Sequence, residues 1–94
     1  MRDDEFEWDE EKAAQNLRAH GVSFETAREV FRNPFAIDRP DTRENYGEDR
    51  YGMVGMTQSG LVYVAYTVRA GRARIISARN AESVERREYH EESK

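Results

Sequence analysis

Residues 61–79 read LVYVAYTVRAGRARIISAR, and no other stretch limits the fold of this chain so tightly. Val62, Val64, Tyr66 and Val68 alternate with Tyr63, Thr67 and Arg69, the period-two pattern of a strand with one apolar face. Ala70-Gly71 is a tight two-residue turn, and RARIISAR returns as a second strand. Upstream, RYGMVGMT supplies another strand, joined to the first through QSG, and FAID a short one that Pro40 ends. The four make an antiparallel meander whose apolar face must be covered.

The cover comes from the front of the chain. In DEEKAAQNLRAHG, Asp9 is placed to cap a helix, acids fill its first turn and Gly21 ends it. Ser23 caps a second helix over SFETAREVFRNP, whose apolar side is Phe24, Ala27, Val30 and Phe31 and which stops at Asn33-Pro34. The tail, NAESVERREYHEESK, reads as a last helix with few apolar residues, so it docks weakly, and its last few residues fray. The expected order is α-α-β-β-β-β-α, an α+β domain of two helices on a four-stranded antiparallel sheet. With 94 residues, the chain is read as one domain over 1–94.

There is no cysteine, hence no disulfide framework. The run LVYVAYTV is far shorter than the roughly 20 residues that span a bilayer. The acidic start MRDDEFEWDEEK has no apolar core of a signal peptide. No membrane is expected, and the chain reads as cytoplasmic. Net charge is −4, which argues against a nucleic-acid partner until its distribution is considered. From Arg50 to Ala81 there is no Asp or Glu but five arginines, at 50, 69, 72, 74 and 79, so this window is +5 and the remainder −9. Such sorting predicts a basic surface, unneutralised by the chain's own acids, on an acidic body.

Candidate chemistry narrows accordingly. His20 and His90 have no second ligand at i+4, the acids between Asp38 and Asp49 lack calcium-loop spacing, and no glycine-rich loop precedes a helix. Neither a metal nor another cofactor is expected. Arg69, Arg72 and Arg74 cluster at one hairpin, with Arg72 and Arg74 on one face and Arg79 of opposite parity. Guanidinium groups bind phosphate bidentately, and Tyr63 and Tyr51 are placed to stack on bases. On the first helix, Trp8, Lys12, Asn16 and His20 recur every four residues. His20 is the one histidine ahead of the tail, and so the first candidate for proton transfer.

FEWDEEKAAQNLRAHGVSFETAREVF, YGEDRYGMVGMT and RIISARNAESVERREY resemble the corresponding blocks of the BrnT family of type II toxins, in order and spacing. One departure is Glu82 after Ala81, where the family often has threonine; it sets a negative charge beside Arg79. The resemblance implies a RelE-like fold and an endoribonuclease that arrests growth. It also implies a BrnA-type antitoxin that forms a hetero-oligomer with the toxin and binds operator DNA. The chemistry expected is metal-independent cleavage by the RNA 2′-hydroxyl. Arg74 and Arg79 would hold the phosphate, His20 would move the proton, and Tyr89 is the alternative for that step. Lys12, Arg50, Arg69, Arg72 and Tyr63 would bind RNA. The rival reading is a non-catalytic module that binds RNA or an antitoxin through the same face.

Overall fold

The computed structural model describes residues 1–92, and the expected fraying at the end of the tail falls partly on residues 93 and 94, outside that range. The class is α+β, with a mixed five-stranded sheet. In chain order the elements are β1 (Phe6–Glu7), α1 (Glu10–His20), α2 (Phe24–Arg28), β2 (Ile37–Asp41), β3 (Arg50–Thr57), β4 (Gly60–Arg69), β5 (Arg72–Asn80) and α3 (Ser83–Glu92). The strands lie side by side as β1-β5-β4-β3-β2.

The caps act as the sequence predicts. Asp9 accepts the Lys12 N–H at 3.0 Å, and Gly21, at φ 72°, donates its N–H to the Leu17 carbonyl. Ser23 accepts the Thr26 N–H at 3.0 Å. The second helix is shorter than expected: after Arg28 it tightens into a 3-10 turn over Glu29–Arg32, which still buries Val30.

Three features of the sheet depart from the expectation. β1 is an additional strand, parallel to the start of β5, with Phe6 opposite Ala73 and Glu7 opposite Arg74. Two residues are too few to show a period. Secondly, β2 runs through Pro40 to Asp41 instead of ending before it. Proline is tolerated there because β2 is the edge of the sheet and needs no donor on its open side. Thirdly, the register slips between β4 and β5. Ala65 faces Ser77 and Tyr66 faces Ile75, so Ile76 has no partner.

That bulge resets the alternation. Ile75 and Ala78, three apart, are both buried against the helices. Arg72, Arg74 and Arg79 therefore all point to the opposite face, and the expected opposite parity of Arg79 is corrected. Val68 keeps the face of Val62, Val64 and Tyr66, opposite Ala73, but near the end of β4 the helices leave it 55% exposed.

α1, α2 and the 3-10 turn cover the inner face. Phe6, Trp8, Phe24, Val30, Val62, Val64, Ile75 and Ala78 form the main core. Phe6 and Tyr66 meet Phe31 edge to face, with ring centroids 5.1 and 4.9 Å away. Each such large side chain contributes about 1.5–3 kcal/mol by leaving water. On the outer face, Val54 and Leu61 join Ala81 and Tyr89 in a smaller cluster under α3. The tail helix thus docks through Tyr89, its one buried residue. Among the described residues no helix is long and apolar enough to cross a membrane.

Candidate nucleic-acid interface

The outer face carries the arginines in a row along β5, continued across β4 by Arg69 and on β3 by Arg50. Four of the five are neutralised by carboxylates. Arg74 meets Glu7 at 2.9 Å, and Arg79 is gripped bidentately by Glu85 at 2.8 Å with Glu82 at 3.5 Å. Glu48 lies 3.2 Å from Arg50 and 3.8 Å from Arg69, while Arg72 donates to the Asp3 carbonyl at 2.7 Å. The expectation of a bare cationic patch is corrected for a topological reason. The window from Arg50 to Ala81 is acid-free in sequence, but β1, α3 and the loop before β3 fold their carboxylates onto it.

Arg79 and Tyr63 form one unit. The guanidinium carbon lies 4.3 Å from the centroid of the Tyr63 ring. Tyr63 in turn lies across Gly52 of β3, where any Cβ would overlap the ring, so the glycine is what admits it. Burial pushes the Tyr63 phenol above its ordinary range, partly offset by Arg43 and Arg79. Tyr63 also lines a cleft of about 720 Å³ between α3 and the β2–β3 edge. Its floor is Ile37, Gly52 and Val54; Arg39 and Arg43 stand on one wall and Glu82, Glu85 and Glu88 on the other.

The α1 candidates occupy a different hollow, about 350 Å³, where Lys12 and His20 are brought together with Gln15, Asn16, Ala19 and Ile76. Ile76 is the bulge residue, so this hollow abuts β5 between Arg74 and Arg79. Asn16, the third member of the helical stripe, is structural. Its amide donates to the carbonyls of Val22 and Ala78 and accepts the Ala78 N–H, all within 3.1 Å.

Two aromatic candidates lie elsewhere. Tyr51 stacks on Tyr66 on the helix side of the sheet, 5.4 Å between centroids, so it does not join Tyr63. Tyr89 is buried under α3 and its hydroxyl donates to Asn33 Oδ1 at 2.9 Å.

The sequence model of one family, described as the ribonuclease toxin BrnT of type II toxin–antitoxin systems, matches residues 8–85. The chain belongs to the BrnT family. Among individual curated proteins, none matches it significantly. A type II ribonuclease toxin has RNA for a substrate and an antitoxin for a partner. The matched span of this BrnT chain takes in Lys12, His20, Tyr63 and all five arginines of the basic window, and it stops before Tyr89.

The sequence does not single out Arg39, Arg43 or Glu85, which line the cleft. Arg39 and Arg43 sit in RPDTRENYGED among acids, and Arg43 does pair with Asp41 at 2.9 Å. Their position on the cleft follows from the β2–β3 pairing, which local charge does not reveal. In the sequence Glu85 reads only as part of the tail helix. Its spacing from Glu82, whose N–H it accepts at 2.8 Å, is that of a capping box and was the available signal. Burial pushes the Glu85 carboxyl up, but the Arg79 hydrogen bonds and the Glu82 N–H outweigh it and hold the group below its ordinary 4.5.

Proposed function

We propose that this BrnT toxin is a metal-independent endoribonuclease whose site is the outer face of β5 and the α1 hollow beside it. The observation that carries this is the bulge at Ile76. It turns Arg79 onto the face of Arg72 and Arg74 and sets Ile76 against Lys12 and His20 between them. A phosphodiester lying along β5 would meet guanidinium groups on either side and an imidazole at its flank.

In the proposed reaction the RNA 2′-oxygen attacks the adjacent phosphorus and the bond to the 5′-oxygen breaks. The products are a 2′,3′-cyclic phosphate and a free 5′-hydroxyl. Arg74 and Arg79 hold the phosphate and stabilise charge on its equatorial oxygens. An imidazole suits proton transfer near neutral pH, and His20 takes that role. Tyr89 is the second candidate, and its buried hydroxyl on Asn33 favours His20 over it. Tyr63 offers a ring for base stacking, and Lys12, Arg50, Arg69 and Arg72 extend the contact to neighbouring phosphates. Cleavage of messenger RNA in the cytoplasm would stop translation and growth. A BrnA-type antitoxin would neutralise the toxin by covering this face, and the hetero-oligomer would reach operator DNA through the antitoxin.

The test is induced expression of His20→Ala, Arg74→Gln and Arg79→Gln chains in a bacterium, with folding checked by circular dichroism. The expected result is folded protein and loss of growth arrest in each. Wild-type toxicity in all three would end the assignment.

A further inference from the structure

Arg79 is not the only guanidinium on this face that α3 holds. Arg39, on the edge strand β2, donates to Glu88 Oε2 and Glu92 Oε1, each at 2.8 Å. Arg79 and Arg39 thus sit near opposite ends of α3, on β5 and β2, and each receives two carboxylate oxygens from it. Two oxygens on a guanidinium fork is also how a phosphate binds arginine.

The rest of the α3 attachment is thin. Tyr89 is its one buried side chain, and Val84 is 57% exposed. A ten-residue helix is marginal when isolated, so its contacts decide whether it stays. The Arg39 pairs are half exposed, and pairs of that kind are weak because water and salt screen them.

We infer that α3 is an acidic latch: Glu85, Glu88 and Glu92 stand where RNA phosphates bind, and RNA engages Arg79 and Arg39 by displacing them. This rests on the ribonuclease reading and adds to it a second phosphate site, Arg39, across the 720 Å³ cleft. With the latch open, the strand has a continuous path from β5 over Tyr63 to β2. Exchange conserves the arginine pairing and leaves the freed carboxylates in water, so the net cost is mainly the undocking of Tyr89.

Two measurements test it with the full chain. The probe is a 2′-O-methyl RNA oligonucleotide, which has no free 2′-hydroxyl and stays intact. By fluorescence anisotropy, Glu88→Gln/Glu92→Gln and, separately, Glu85→Gln should bind it about three- to ten-fold more tightly than wild type, the range set by charge-assisted pairs of this exposure. Arg39→Ala in the Glu88→Gln/Glu92→Gln background should remove that gain. Hydrogen exchange on the wild type, which needs no substitution, should show α3 amides losing protection when the oligonucleotide binds. If wild type binds but α3 keeps or gains protection, or the glutamine variants bind no tighter, the latch is overturned and the RNA site stands. If neither wild type nor any glutamine variant binds, the RNA reading itself falls and the latch with it.

Discussion

The side-chain amide of Asn16 occupies the place that a strand neighbour would hold beside Ala78. β1 is only two residues long and covers β5 at Ala73 and Arg74, so further along the edge the backbone of Ala78 would lack partners. Asn16 supplies both a donor and an acceptor there, and ties Val22 to the same point. Asn16→Leu keeps the volume but strands a buried N–H and two carbonyls, so denaturant unfolding should show a loss of about 2–4 kcal/mol. A loss below half a kcal/mol would mean that the amide is dispensable. Gly52 is the comparable case on the outer face. Gly52→Ala drives a methyl into the Tyr63 ring and should cost about 1–3 kcal/mol. It should also weaken RNA binding, because Arg79 loses the ring it rests on. Unchanged stability and affinity would show that Tyr63 has room to move. Neither role was visible in sequence: the Trp8-Lys12-Asn16-His20 stripe was legible as a face, but which member is buried depends on an edge of β5 that only the assembled sheet defines.

Among the elements, the long strands and both capped N-terminal helices were legible because each carries its own period and punctuation. β1 and the bulge were not. A two-residue strand has no period, and RIISA reads equally well with or without a slipped residue at Ile76. The attachment of α3 is the element-scale feature most open to titration. Glu85 has its folded value depressed, so its contribution is fully present above its ordinary 4.5 and is lost as pH falls through the lower folded value. Asp41, held at about 2 chiefly by the Arg43 hydrogen bond, keeps its pair through that range. On acidification from pH 6, NMR amide protection should therefore fall at Glu85–Glu92 before it falls in β3 and β4. Simultaneous loss in helix and sheet would place the acid sensitivity elsewhere.

For the whole molecule, the charge asymmetry in the sequence was real but its consequence was misread. Five arginines do gather on one face, yet four of them meet acids that arrive from β1, α3 and the Glu48 loop, each outside the basic window. The result is a surface of mostly ion-paired guanidinium groups, with Arg72 held by a backbone carbonyl. RNA affinity should fall with salt by a slope near 0.7 per phosphate engaged, and Arg74→Gln should lower that slope by about one phosphate's worth. A slope unchanged by that substitution would remove Arg74 from the contact. The claim that the outer face cuts RNA is tested most directly by incubating purified protein with 5′-labelled RNA in EDTA and analysing the product ends. The account predicts cleavage to 2′,3′-cyclic phosphate and 5′-hydroxyl ends by wild type, and none by His20→Ala. Intact RNA in EDTA with cleavage restored by a divalent metal, or 3′-hydroxyl and 5′-phosphate ends, would contradict it.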